Sequence, residues 1–129
     1  MRMREAAENY LEVILMLSKK QSRVRAADIC AFLGYSRPTV SAAIKQLREN
    51  GYIVVDGGNY ITLTAKGRDI ADAMFERHHV IAKFFMAIGV DEQTALKDSC
   101  RVEHYISERT FDCMKAHFSS YIMGKTDKE

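Results

Sequence analysis

Residues 26–51, AADICAFLGYSRPTVSAAIKQLRENG, decide the fold of this 129-residue chain. Two short segments with helical apolar spacing meet at Gly34, and glycine commonly lies just past a helix. Ser36 is a natural N-cap for the second segment, and Pro38 falls in its first turn, where the missing N–H costs nothing. The stretch therefore predicts a helix-turn-helix. Its predicted inward-facing residues are Ile29, Phe32, Leu33, Val40, Ile44 and Leu47.

The flanking segments complete this unit. Residues 4–20 have an apolar stripe at helical spacing and predict a preceding helix. Residues 52–55 and 60–63 predict two strands joined by a tight turn at 56–59, a β-hairpin of the size of a wing. The fold class is therefore mainly α, with an N-terminal winged helix-turn-helix.

The remainder of the chain predicts three further helices. Thr64 caps a long helix that runs to about Gly89, Asp91 caps a fifth helix, and Ser107 begins a sixth. We assign residues 1–68 to a winged helix-turn-helix domain and residues 69–129 to an α-helical domain.

Charge and cysteine usage restrict the class of protein. Residues 1–68 carry 11 Lys and Arg against 6 Asp and Glu, whereas residues 69–129 carry 8 against 11. A basic first half suits a nucleic-acid surface, although charge alone does not identify one. Three cysteines form no disulfide framework, and neither a signal peptide nor a transmembrane segment is predicted. We expect a cytoplasmic protein with no membrane partner.

The second helix of a helix-turn-helix places its N-terminal residues at the base edges of the DNA major groove. Arginine and hydroxyl side chains there contact phosphates or bases. A winged lobe used for protein contacts is the alternative, because fold alone does not fix function. The predicted DNA-binding residues are Ser36, Arg37, Pro38, Thr39, Ser41, Ala42 and Lys45.

The run CRVEH at residues 100–104 places a possible metal site in the second half. Cys100, Glu103 and His104 are common metal-ligand types, and spacings of three and four residues bring them to one helical face. The alternative is a solvated helix surface with a buried cysteine. A metalloenzyme is not predicted, because no second catalytic group or cleft for a small-molecule substrate accompanies the run.

Several stretches together resemble the diphtheria toxin repressor and manganese transport regulator family of metal-dependent transcriptional regulators. These stretches are AENYLE, VRAADICAFLGYSRPTVS, LTAKG, ERHHVI and CRVEHYIS, and they cover nearly the whole chain. The chain resembles the short branch of the family, which lacks a C-terminal SH3-like domain. The resemblance implies a metal site formed with the first, fourth and fifth helices, to which Asn9, Glu12 and His78 contribute besides the CRVEH residues.

The resemblance also implies a homodimeric repressor of metal-homeostasis genes that binds a palindromic operator. Residues 1–68 are then expected to be its DNA-binding domain, and residues 69–129 its metal-binding and dimerisation domain. Cysteine at position 100 resembles the iron-responsive members, and a thiolate favours softer ions than Mn²⁺, so Fe²⁺ is expected, with Mn²⁺, Zn²⁺, Co²⁺ and Ni²⁺ as alternatives. The rival hypothesis is a metal-independent winged-helix regulator that senses a small molecule or oxidation through Cys100. Apolar residues beyond what the lobe can bury predict the dimer interface: Ile106, Phe111, Met114, Phe118 and Tyr121.

Overall fold

The computed structural model describes the backbone of residues 3–127 and the side chains of residues 5–117. Six helices and one hairpin occur in the order α1 (Met3–Lys20), α2 (Ala26–Leu33), α3 (Arg37–Glu49), β1 (Ile53–Val55), β2 (Ile61–Leu63), α4 (Ala65–Ala87), α5 (Glu92–Val102) and α6 (Glu108–Asp127). The mainly helical fold class is confirmed. Among the helices of residues 3–127, none is long and apolar enough to cross a membrane. The chain divides into two compact units, Met1–Met74 and Phe75–Glu129.

The first unit is a winged helix-turn-helix. Gly34 ends α2 in the left-handed conformation, with φ at 73°, and its N–H donates to the Cys30 carbonyl. This conformation favours glycine, and it turns the chain into α3. The Ser36 hydroxyl then caps α3 by accepting the Thr39 N–H. Both helix boundaries therefore follow from the predicted capping residues.

The core of this unit is centred on α1. Leu11, Ile14 and Leu15 are buried on α1, and Ile29 and Val40 are buried on the two helices of the helix-turn-helix. Three predictions of inward-facing residues were inaccurate. Phe32 is 44% exposed, and Leu33 and Ile44 are only half-buried. α2 is eight residues long, and so short a helix buries a narrow stripe.

The wing is an antiparallel pair in which Ile53 lies opposite Leu63 and Val55 opposite Ile61. Its strands begin at Ile53 and Ile61, one residue later than predicted. The Asp56 carboxylate organises the connecting turn, because it accepts the N–H groups of Gly58 and Tyr60 at 2.9 and 3.0 Å. The acidic residue at the wing therefore supports the turn.

The second unit contains the end of α4 together with α5 and α6. Asp91 caps α5 by accepting the Thr94 N–H at 3.0 Å, and this hydrogen bond holds the pKa of its carboxyl below the usual value. α5 ends at Val102, so the prediction that the CRVEH run lies within a helix was wrong for its last two residues. Ser107 accepts the Thr110 N–H at 3.1 Å at the start of α6, as predicted.

Candidate metal centre and nucleic-acid interface

The N-terminal half of α3 presents an exposed polar surface. Its residues predicted to bind DNA are all exposed, and they are Ser36, Arg37, Pro38, Thr39, Ser41, Ala42 and Lys45. The Ser36 and Thr39 hydroxyls are 2.9 Å apart, and the Arg37 Nε lies 3.4 Å from the Ser41 hydroxyl. A helix face of hydroxyls and cations can contact phosphates and base edges.

A second basic feature of this unit was missed by the sequence analysis. The guanidinium groups of Arg23 and Arg25 lie over the Tyr60 ring, 4.7 and 4.3 Å from its centroid. A hydrogen bond with Arg23, and then the charge of Arg25, lower the pKa of the Tyr60 hydroxyl. We name these three residues the arginine–tyrosine cluster. The sequence signalled this cluster only through two arginines, separated by one residue, in the loop before α2.

The arginine–tyrosine cluster adjoins a groove beside α3, the second helix of the helix-turn-helix, which we call the recognition helix. Arg25, Arg37 and Arg48 line this groove of about 440 Å³, together with Ser41 of α3 and Asn59 of the wing. Three guanidinium groups around one concave surface favour a polyanion as the occupant. The basic surface is therefore wider than the recognition helix alone.

The second unit brings four polar side chains together around His78 on α4. The His78 Nδ1 lies 3.1 Å from the Ser99 hydroxyl, 3.4 Å from the Cys100 Sγ and 3.4 Å from the Glu103 Oε2. On the other side of the same carboxylate, the His104 Nε2 lies 3.4 Å from the Glu103 Oε1. We name His78, Cys100, Glu103 and His104 the α4–α5 cluster.

The spacings in the α4–α5 cluster fit a metal ion. A ring nitrogen offers one hydrogen-bonding position, so His78 Nδ1 cannot bond a hydroxyl, a thiol and a carboxylate at once. Nitrogen, sulfur and oxygen atoms that bind one ion at about 2.0–2.3 Å lie roughly 3–4 Å from each other. His78 and Glu103 are also buried, and they belong to a group of ligand-type side chains that could hold an ion. The donor set of imidazole, thiol and carboxylate suits a divalent transition metal.

Glu103 reaches the cluster although it follows the last residue of α5. Its φ and ψ are −57° and −26°, which are still helical values. The spacing of three residues from Cys100 therefore has the geometric meaning that the sequence analysis gave it, and only the label of the element changes. His104, by contrast, lies in the turn that follows α5.

The models of two domains of one protein family match consecutive parts of the chain. Residues 2–59 match the N-terminal DNA binding domain of the iron dependent repressor, and residues 64–120 match its metal binding and dimerisation domain. One bacterial relative is 34% identical to this chain over 112 residues. The chain belongs to the iron-dependent repressor family. The resemblance given by its sequence motifs is thereby confirmed.

The relatives of this iron-dependent repressor family member regulate transcription. The 34% identical relative is the transcriptional regulator MntR of Escherichia coli O6:H1, and the match covers 87% of this chain and 72% of that protein. The HTH-type transcriptional regulator MntR of Bacillus subtilis strain 168 is 30% identical over 105 residues, 81% of this chain and 74% of that protein. This chain is accordingly a metal-dependent transcriptional regulator and not an enzyme.

A solved structure of a manganese-dependent transcriptional repressor complex with manganese has the same fold. Its TM-score is 0.80 at 30% identity, over 88% of this chain and 52% of that one. This family member therefore spans about half the length of that solved structure. These relatives are named for manganese or for no metal, so they give no support to the expected preference for Fe²⁺.

Two residues that the resemblance implied as ligands lie on α1, in the first unit of this repressor family member. Glu12 is 4% exposed, and Asn9 is half-buried. Both are oxygen donors of a type that binds divalent metals. Their role as ligands stays a prediction.

The residues expected at a dimer interface differ in how far the chain itself buries them. Phe111 is only 6% exposed, and the Arg77 guanidinium lies over its ring at 5.2 Å. The chain alone therefore buries Phe111. Ile106 and Met114 are half-buried and keep apolar surface for a partner. Phe118 and Tyr121 lie outside the described side chains.

Proposed function

We propose that this chain is a metal-activated transcriptional repressor whose affinity for operator DNA rises when the α4–α5 cluster binds a divalent transition metal. The observation that carries the proposal is the convergence of Cys100 and Glu103 on the Nδ1 of His78 at 3.4 Å each. A regulator whose first unit carries an exposed recognition helix has no structural need for such a convergence of metal-ligand side chains in its second unit. Metal binding supplies a function for it.

The proposed ligands are the four residues of the α4–α5 cluster together with Glu12 and Asn9. Support for the cluster comes from its interatomic distances. Support for Glu12 and Asn9 comes from the family resemblance and, for Glu12, from the burial of this acidic residue on α1. Replacement of a ligand should lower metal affinity more than replacement of an exposed carboxylate.

The choice of metal depends on Cys100. Its thiol would bind as a thiolate, which favours Fe²⁺, Co²⁺, Ni²⁺ or Zn²⁺ over the harder Mn²⁺. The solved structure of a manganese-dependent transcriptional repressor argues in the opposite direction. We propose Fe²⁺ as the activating ion on the chemistry of this one residue, and the experiment below compares it directly with Mn²⁺.

The proposed DNA target is a palindromic operator bound by a homodimer. Two recognition helices about one DNA turn apart read the two half-sites of such an operator. The α3 residues would contact bases and phosphates, and the arginine–tyrosine cluster would contact phosphates beside them. The controlled genes would serve metal homeostasis, and the site of action would be the cytoplasm.

The size of the metal effect is limited by thermodynamics. Metal can raise DNA affinity only by the factor with which it prefers the DNA-competent state of the protein, and DNA raises metal affinity by the same factor. Couplings of this kind are typically about 1–3 kcal/mol, or roughly 5–150-fold. The factor by which metal raises DNA affinity should therefore equal the factor by which DNA raises metal affinity, and either titration can measure it.

The test is fluorescence anisotropy of DNA from the gene's own upstream region, under anaerobic conditions. Chelator, Fe²⁺, Mn²⁺ and Zn²⁺ are compared on the full chain. We expect tight binding only with metal, with Fe²⁺ effective below the concentration that Mn²⁺ requires. Glu103→Gln should abolish the response, whereas Glu108→Gln, which changes an exposed glutamate at the start of α6, should leave it intact.

The opposite result would favour the rival regulator. Cys100 is exposed, and its sulfur lies 3.4 Å from an imidazole nitrogen. A neighbouring imidazole can assist formation of a reactive thiolate. DNA binding that is equal in chelator and in every metal, and that is lost on mild oxidation only when Cys100 is present, would establish that alternative.

A further inference from the structure

We infer that Arg77 is the positioning residue of the metal centre. It would fix the turn at residues 103–106 through two backbone carbonyls, so that Glu103 and His104 face the ion. This inference rests on the proposed function, because it concerns the same site. The observation that carries it is independent of the ligand atoms, since Arg77 contacts the backbone of the turn.

The contacts of Arg77 extend to two points of the turn. Its Nη1 donates to the Glu103 carbonyl at 2.9 Å and to the Ile106 carbonyl at 3.4 Å. The same guanidinium lies over the Phe111 ring at 5.2 Å from the centroid. One side chain of α4 therefore holds both ends of the segment from Glu103 to Ile106 and the first turns of α6.

The Glu103 and Ile106 carbonyls follow the C-terminal end of α5, where a cationic side chain is a favourable hydrogen-bond donor. α5 ends at Val102, and the last carbonyls of a helix have no partner within it. The C-terminal end of a helix also carries partial negative charge, which a neighbouring guanidinium stabilises. Arg77 supplies donors and positive charge at the point where the chain leaves α5.

Arg77 and His78 are adjacent on α4 and contact the end of α5 and the turn after it through different atoms. His78 contacts side chains, namely the Cys100 thiol and the Glu103 carboxylate. Arg77 contacts the main chain that carries one of those side chains. Glu103 is thereby fixed at its backbone by Arg77 and at its carboxylate by His78 and His104. Two fixed points determine where the carboxylate lies.

Loss of the guanidinium should therefore weaken metal binding without removing a ligand. Groups that orient metal ligands typically contribute about 10–100-fold to metal affinity. We expect Arg77→Met, which keeps length and apolar contact but no donor, to weaken Co²⁺ binding at least about tenfold. Arg77→Lys keeps the charge and a donor, so it should restore most of the affinity.

The experiment titrates the full chain anaerobically with Co²⁺, in competition with a chromophoric chelator. The thiolate-to-Co²⁺ absorption band reports whether Cys100 binds the ion. Hydrogen exchange of the metal-free protein is measured in parallel over residues 102–107. The control is Arg109→Met, which removes an exposed arginine from α6 and should change neither readout. If Arg77→Met does not fold, Arg77→Leu, which also lacks a donor, takes its place.

Support requires weaker Co²⁺ binding by Arg77→Met, faster exchange confined to residues 102–107, and recovery of both in Arg77→Lys. Wild-type affinity and exchange in Arg77→Met would overturn the inference, and so would faster exchange throughout the chain, which indicates a general loss of stability. Failure of the proposed function gives a different result, because the wild type itself would then not bind Co²⁺. Exchange over the turn would still decide whether Arg77 holds it.

Discussion

Arg23 and Arg25 show at the residue scale how an aromatic ring can prepare a phosphate contact. Both guanidinium groups lie over Tyr60, and both arginines are exposed. A guanidinium that stacks on a ring keeps its donor edge available while losing rotamer freedom, so less entropy remains to be lost on binding. The lowered pKa of the Tyr60 hydroxyl records the same positive field.

This arrangement predicts a salt effect. Each phosphate contact contributes about 0.9 to the slope of log affinity against log salt. The double variant Arg23→Gln/Arg25→Gln should therefore bind operator DNA more weakly and reduce that slope by about 1.8. Anisotropy titrations at several salt concentrations measure it. Lys83→Gln/Lys97→Gln, which removes the same charge from exposed positions of α4 and α5, should leave the slope unchanged. An unchanged slope in the arginine variant would exclude both arginines as phosphate contacts.

At the scale of elements, the start of α4 depends on one close approach. The Thr64 N–H donates to the Tyr52 carbonyl at 3.0 Å, and the Thr64 hydroxyl accepts the Gly67 N–H at 3.1 Å. A Cβ added at Gly67 would clash with the Tyr52 carbonyl oxygen. Glycine is therefore required because backbone meets backbone, which explains the final residue of the LTAKG sequence.

The corresponding prediction concerns stability. Gly67→Ala should destabilise the protein by roughly 1–3 kcal/mol, because either α4 or the chain around Tyr52 must move. Urea unfolding followed by circular dichroism measures the change. Gly57→Ala is the matched control, since a Cβ there has nothing within 4 Å and should cost less than about 0.5 kcal/mol. Equal unfolding midpoints for the two variants would contradict the close approach at Gly67.

The elements were predictable where a local signal marks them. Ser36, Asp91 and Ser107 cap helices as their residue types predict, and Gly34 ends α2. The end of α5 was not predictable, because the turn after Val102 has no glycine or proline, and Arg77 is 26 residues away in sequence from the carbonyl it binds. Contacts of that kind depend on tertiary packing. Ser99, which contacts His78 of the α4–α5 cluster, and the arginine–tyrosine cluster were missed for the same reason.

At the scale of the whole molecule, assembly and metal response should be separable. Binding a palindrome needs two recognition helices, so the proposed DNA-bound form is a dimer. We expect the metal-free chain to be a dimer as well, because Ile106 and Met114 of the expected interface lie outside the α4–α5 cluster. The chain should sediment at twice its 14.7 kDa mass in chelator and in metal alike. Glu103→Gln should remain dimeric while it loses the DNA response. Metal would then act on the arrangement of an existing dimer.

The dimer surface can be tested at Met114, which is half-buried in α6, so apolar surface remains for a second copy. Met114→Glu would place a charge in that interface, and we expect sedimentation at the mass of one chain together with loss of operator binding. Cys113→Glu adds the same charge at the preceding residue, which is exposed, and should stay dimeric. A dimeric Met114→Glu variant with wild-type DNA affinity would place the interface elsewhere. Since the chain alone buries Phe111, its replacement would disturb the second unit itself and could not separate folding from assembly.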